Sequence, residues 1–405
     1  SSLRRNNIDY LVCDSRISLG KGFITDKKEL ERLLLKGPNL VAITLCEDYV
    51  ERVAELLRFI RSKSKAFILI GGPMATLSPE HVMAHLPEAN MVIRGDGEEI
   101  LPRIARVIGA SDIESLLSEE ALESLSTLDG LLFWNKGVLV CGNPAETNES
   151  DFNRNRPDFS FLERRDVEGG LFLFTSRGCR NNCIFCTTPG KGRFRARDAA
   201  KVKQDLDSYY RRILELFPEG IPDSAKVVSF NDDDFFTDTE RASEIIDYFR
   251  GSPLKIGFLQ GGINAFFDRT TGRLNKGIFE SLSPDVFHRP DGRVKTDMYI
   301  GTESLNDEEL ANLEKGYTFD QVKEVVSELS ARKIYQAHHL IISNPWTSMD
   351  NIRDTFRKAL QLKGVHGDFF RILEPPITNM VSLYPSRSYR KIIREGKGCL
   401  LSKKK

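Results

Sequence analysis

The chain has 405 residues, and its 58 lysines plus arginines balance 58 aspartates plus glutamates, so it carries no formal net charge. That length excludes a single small module and allows two domains with their own cores. The charge balance excludes a global field that would draw the protein to nucleic acid or to an anionic membrane, so a small-molecule substrate is expected, with no nucleic acid and no membrane as partner.

No run of about 18 uninterrupted apolar residues occurs, and the opening SSLRRNNIDY lacks the apolar core of a signal peptide. A cytoplasmic protein is expected. The first residue is Ser, and a strand-like run begins almost at once; an upstream segment outside this chain is part of the expectation.

Residues 1–110 alternate apolar runs (IDYLVCD, NLVAITLC, AFILIGG, NMVIRGDG) with amphipathic stretches (KKELERLLL, YVERVAELLRFIRS, PEHVMAHL, EEILPRIARVIG). Continuous Val/Ile/Leu runs separated by helical periods describe parallel strands covered on both faces, hence an α/β domain with an open, Rossmann-like sheet. Strand ends at Asp14, Thr44, Gly71-Gly72-Pro73 and Arg94-Gly95-Asp96-Gly97 would fall along one edge, where such sheets bind ligands. Gly71, Gly72, Gly95 and Gly97 are candidate binding positions because glycine lets a flat or phosphorylated ligand approach the backbone. They do not form GxGxxG, so a nicotinamide cofactor is a weak reading.

Residues 111–168 read as a linker: an acidic stretch (IESLLSEEALESL), a hairpin (GLLFWNKGVLVCG) turning at Asn135-Lys136-Gly137, and a polar connection. Residues 169–385 carry a second series: LFLFTSRG, VVSFNDDDFF, KIGFLQGGINAFF, DMYIGTES, YQAHHLIISNP and GDFFRILEP, with helical periods between most of them. Five or six βα units after a cysteine loop predict a partial (β/α) barrel whose chemistry sits at the C-terminal ends of its strands. Residues 386–405, ending in three lysines, read as a solvated tail.

Seven cysteines, three of them within eight positions, fit a reducing compartment and a metal site better than a disulfide framework. Cys13 and Cys46 lie in apolar runs and read as buried free thiols. Cys179, Cys183 and Cys186 follow the first strand of the second series. A structural zinc would need a fourth ligand, and no second CxxC is present to supply one. Three thiolates on a four-iron cluster leave one iron open to a chelating ligand.

The spacing CxxxCxxC, with Phe185 just before the last cysteine, resembles the radical S-adenosylmethionine (SAM) superfamily. The first domain resembles the cobalamin-binding-type domain that precedes the barrel in one subset, over Gly71-Gly72-Pro73 with Ser78-Pro79-Glu80 and over Arg94 to Glu98. The resemblance implies a [4Fe-4S] cluster on the three cysteines, SAM on the open iron, cobalamin on the first domain, and an electron donor such as flavodoxin or ferredoxin. It also implies a SAM site lined by Asp232 and Asp234, by Gly301, Glu303 and Ser304, and by the turn from Ile341 to Pro345. Three departures stand beside it. The GGE triplet after the second strand is replaced by Asp232-Asp233-Asp234, no DxHxxG accompanies any histidine, and the first domain begins at what would be the second strand. A carboxylate after a strand is as often only a helix N-cap.

These readings imply cobalamin-dependent methylation of an unactivated centre of a small molecule. Two alternatives stay open: a degenerate first domain without cobalamin beside a barrel that abstracts hydrogen or rearranges its substrate, and a metal-stapled binding module that is not an enzyme. His338 and His339 are adjacent on a strand, so at most one faces the barrel interior. Arg193, Arg195 and Arg197 form either a cationic edge or a solvated one, and Tyr299, Tyr335 and Tyr384 read as core.

Overall fold

The computed structural model describes residues 2–12, 16–18, 22–24, 27–45, 50–109, 125–135, 137–146, 148–189, 191–290, 296–373, 378–379 and 386–396. Asp14, Cys13, Cys46, Cys399 and Tyr384 lie outside the described residues. The chain divides into two compact units, Ser1–Asp158 and Phe159–Lys405.

In the first unit, β1 (Arg16–Ser18) and β2 (Gly22–Ile24) form an antiparallel ribbon. The main sheet runs β3 (Leu40–Thr44), β4 (Phe67–Gly71), β5 (Met91–Ile93), β6 (Leu131–Asn135), β7 (Val138–Cys141), with the first three parallel. The continuous apolar runs have the expected cause. Ile68, Ile70 and Val92 pack against Val53, Leu57 and Ile60 of helix Val50–Lys63, while Phe67, Leu69, Met91 and Ile93 pack against Ile104 and Ile108 of helix Ile100–Gly109. A strand covered on both faces has no solvent side on which to place polar residues.

Two segments differ from their sequence reading. The hairpin placed in the linker is β6–β7, and β6 pairs antiparallel with β5, so it completes the first sheet. Its Leu131, Leu132 and Phe133 are buried, a triplet too apolar to be left on a tether. Conversely, Ile8 to Val12, the start of the expected first strand, adopt no regular structure.

In the second unit, β8 (Leu171–Leu173) is followed by the short antiparallel pair β9 (Ser176–Arg177) and β10 (Arg195–Ala196). Then come β11 (Val227–Phe230), β12 (Lys255–Ile256), β13 (Leu259–Gly261), β14 (Met298–Glu303), β15 (Gln336–Ser343), β16 (Phe370–Ile372) and β17 (Thr378–Asn379). The ladders β8–β11–β12 and β13–β14–β15–β16 are parallel throughout. Only Gly257 and Phe258 separate β12 from β13. There the Gly257 N–H still donates to the Val228 carbonyl (2.7 Å), and the Leu259 N–H already donates to that of Asp297 (2.9 Å). One bent strand therefore passes from β11 to β14, and the six strands form the partial barrel read from the sequence. A Cβ on Gly257 would stand 2.1 Å from Ser229 Oγ, so glycine fits the bend without displacing a neighbour.

Helices Ala199–Leu216, Thr239–Tyr248, Phe319–Ala331 and Met349–His366 cover the outer face. Leu173, Val228, Phe230, Ile256, Leu259, Met298, Ile300, Leu340 and Phe370 join one core with them. Because side chains alternate along a strand, the other set faces the concave side.

Candidate active site at the strand ends of the second unit

The cysteine loop leaves β9 through Gly178, whose φ of +76° favours glycine. The Gly178 N–H donates to Asp233 Oδ2 (2.9 Å), the Ile184 N–H to the Leu313 carbonyl (3.1 Å), and the Ser388 N–H to the Ile184 carbonyl (3.0 Å). Arg387 reaches the Asn182 carbonyl and pairs with Glu314 at 2.5 Å. Helix Arg387–Arg394, read from the sequence as tail, thus holds the loop from outside.

Cys179, Cys183 and Cys186 line a cavity of about 260 Å3 that they share with Asp233, Asp234, Gly301, Glu303 and Lys315. Backbone N–H groups of Asn181 and Thr188 donate to the sulfurs of Cys179 and Cys186, each at 3.4 Å. Burial, and then the Asp234 carboxylate, push the Cys179 thiol up to about 12; burial raises Cys183 as well. Three thiolates here would need a cationic partner, which is the condition an iron cluster meets. Among the described residues, no three His, Cys, Asp or Glu side chains converge as ligands of a single metal ion; the sulfurs instead border a shared space, and a cubane takes one thiolate per corner.

The three aspartates after β11 divide their labour. Asp232 is fully buried and accepts from the Thr175 N–H (2.9 Å), the Thr175 hydroxyl (3.1 Å) and the Ser176 hydroxyl. It ties β11 to the end of β8 and is not among the residues lining the cavity. Asp234 lines it, accepting from Asn181 Nδ2 (3.2 Å) and the Phe236 N–H (3.3 Å), with Cys179 Sγ 4.0 Å away. Burial pushes its carboxyl up to about 7. Asp233, not singled out from the sequence, also lines the cavity.

Glu303 enters the cavity through a distortion. The β14–β15 register shifts between Gly301 and Glu303, Glu303 has φ +64°, and the Tyr317 hydroxyl donates to the Thr302 carbonyl (2.7 Å). Opposite lies Lys315, 6 % exposed, its Nζ 3.7 Å from Glu303 Oε1. Burial opposes the lysine charge, but Tyr317, Glu303 and Cys183 outweigh it, and Lys315 is raised. Lys315 was not singled out from the sequence; a lysine between a glutamate and a glycine carries no signal of its cavity neighbours.

Ser304 is buried, bonded to Thr355 at 3.2 Å, and Pro345 sits in an exposed turn; neither lines the cavity. His339 lines it, and His338, fully buried on the other side, bonds to Thr302 Oγ1 (2.6 Å) and Gln336 Oε1 (3.0 Å). Tyr299, read as core, also borders the cavity. Arg197 is no open edge, since it is buried against Asp205 at 2.5 Å.

In the first unit, Gly72 (φ +100°) and Gly95 (φ +98°) are pressed on their own chain: an added Cβ would lie 2.7 Å from the Leu45 carbonyl and 2.1 Å from that of Ala145. Thr76 Oγ1 links them, donating to the Gly72 carbonyl and accepting from the Gly95 N–H, both at 3.0 Å. Gly71 and Gly97 have open space beside them. His81 and His85 are exposed on one short helix.

Among the described residues the chain has a six-stranded parallel half-barrel with the CxxxCxxC loop after its first strand, preceded by an open α/β sheet, and comparison with solved structures bears out the fold read from the sequence. The chain is similar to the cobalamin-dependent SAM radical enzyme OxsB with aqua-cobalamin and SAM bound (TM-score 0.70, 16 % identity, 91 % of this chain and 54 % of that one). It is also similar to the radical SAM methyltransferase TsrM from Kitasatospora setae with cobalamin and a [4Fe-4S] cluster bound (TM-score 0.65, 17 % identity, 92 % and 68 %). By sequence it is 22 % identical over 334 residues to an uncharacterized methyltransferase of Pyrococcus horikoshii, covering 80 % of this chain and 64 % of the relative. The chain thus spans less than two thirds of that relative and about half of OxsB. No family model matches the sequence. Among the described residues no helix is long and apolar enough to cross a membrane.

Proposed function

We propose that this chain is a cobalamin-dependent radical SAM methyltransferase acting on an unactivated centre of a small molecule. The observation that carries the reading is that Cys179, Cys183 and Cys186 line one cavity with an oppositely charged pair, Glu303 and Lys315. The three cysteines would each hold one iron of a [4Fe-4S] cluster. Glu303 offers an acceptor to the methionyl amine or the ribose of SAM, and Lys315 offers a donor to its carboxylate. Asp234, anchored by Asn181 and beside Cys179, fixes the loop against β11. When bound, the reduced cluster supplies the electron that cleaves SAM to methionine and a 5′-deoxyadenosyl radical, and cobalamin supplies a methyl carrier.

In the first unit, Gly71 and Gly97 have open space beside them near strand ends, where a flat macrocycle would approach such a sheet. A second reading, a barrel that abstracts hydrogen or rearranges its substrate without cobalamin, draws on Gly72 and Gly95, whose conformations serve the chain itself. The test is anaerobic reconstitution with iron and sulfide, followed by electron paramagnetic resonance and assay of SAM cleavage under strong reductant. Retention of hydroxocobalamin through gel filtration, read by visible absorption, separates the two readings. A zinc-loaded protein, or a cluster that never yields 5′-deoxyadenosine, sinks both.

A further inference from the structure

The concave face of the barrel carries a row of aromatic rings that the cysteine cavity accounts for only at one end. Tyr299 and His339 border that cavity. From Tyr299 the row continues away from it: the ring centroids of Tyr299 and Phe258 are 5.1 Å apart at 88°, and those of Phe258 and Phe172 are 6.2 Å apart at 55°. On the other flank, Tyr299 and His339 are 6.1 Å apart at 48°. Phe172 is 57 % exposed, and Phe174, two residues on, is 58 % exposed. Phenylalanines with that much surface in water, set in a continuous ring row on a concave face, mark a binding wall.

The register explains part of the shape. Phe172 pairs with Ser229 and His339 with Gly301, while Tyr299 stands between Ala337 on one side and Gln260 on the other. Gly257 fills the bend next to Ser229. Phe172, Tyr299 and His339 therefore each have a small residue on at least one side, and successive planes turn by 48° to 88°, with Phe258 and Tyr299 edge to face. That arrangement suits edge-to-face and offset contacts with another ring system, whereas a flexible aliphatic chain would gain only buried area from it. Tyr299 and His339 add a hydroxyl and an imidazole at the end nearest the cavity.

We propose that this wall binds the substrate through a planar aromatic or heteroaromatic moiety, laid across Phe172, Phe258 and Tyr299 with its reacting edge toward the cavity. The inference rests on the reading of that cavity as the reaction site. The test uses the anaerobically reconstituted protein and two neutral probes of matched size, 2-naphthol and decahydro-2-naphthol, titrated by saturation-transfer difference NMR. The aromatic probe binds about three- to tenfold more tightly than its saturated counterpart. Phe172→Leu keeps an apolar side chain at an exposed position and leaves the melting temperature and cluster spectrum unchanged, yet shrinks that preference; Phe172→Leu/Tyr299→Leu abolishes it. Equal binding of the two probes, no binding of 2-naphthol at millimolar concentration, or a preference that survives in Phe172→Leu overturns the proposal. SAM cleavage assayed in parallel keeps the two readings apart: cleavage without aromatic preference strikes the wall, and preference without cleavage strikes the proposed function.

Discussion

The two units end their parallel strands in loops of similar make-up, glycines beside carboxylates, and use them in opposite ways. In the first unit, Gly72 and Gly95 bring turns against the carbonyls of Leu45 and Ala145, and Thr76 joins the two turns. Their positive φ values serve the fold. In the second unit the corresponding loops also bond among themselves, but Asp233, Asp234, Glu303 and Lys315 converge with three thiols on open space. A glycine-rich strand edge is therefore not evidence of a ligand until it is known what a side chain there would strike.

The largest effect should come from the second edge. Cys179→Ala, Cys183→Ala or Cys186→Ala each lowers iron content after reconstitution to background and abolishes the cluster's paramagnetic signal; a variant that retains a full cluster would break the contrast. Next in size is Gly95→Ala, where the added Cβ meets the Ala145 carbonyl at 2.1 Å and φ is +98°. It costs about 2 kcal/mol or more of stability in chemical denaturation, without touching the iron.

A pH-dependent effect, spread over several pH units, separates the adjacent histidines. Burial, and then the neighbouring His339, push His338 down to about 3 from the ordinary 6.5. Between those values the unfolded chain takes up a proton that the fold refuses. Stability accordingly falls as pH drops from about 6.5 toward about 3, by on the order of 1 kcal/mol per pH unit near the middle of that window. His338→Gln should flatten the slope, and an unchanged slope would place the titration elsewhere. The smallest effect on stability belongs to Gly97, which has open space beside it and no positive φ. Gly97→Val stays within about 0.5 kcal/mol of the parent, and it lowers hydroxocobalamin retention if that edge holds the macrocycle.

Much of the architecture was legible in the residues. Runs such as AFILIGG and VVSF are apolar almost throughout, as strands covered on both sides are, and the expectation of five or six βα units in the second unit rested on runs of that kind. The misreadings share one cause. LLFWNKGVLVC has the pattern of a free-standing hairpin, and nothing local says that β5 is its partner. Asp232, Asp233 and Asp234 are identical letters in a row; only their orientation at the end of β11 sends the first to Thr175 and Ser176 and the other two to the cavity.

The sequence by itself determined the alternation of strands and helices, the order of the two units and the cysteine loop after β8, because these depend on periodicity and spacing within short segments. The tertiary structure alone decided that Lys315 faces Glu303, that helix Arg387–Arg394 supports the cysteine loop, and that Phe172, Phe258, Tyr299 and His339 form one wall. Each of those contacts joins residues on different elements, brought together by sheet register and by the bend at Gly257, and register is set by packing over the whole core.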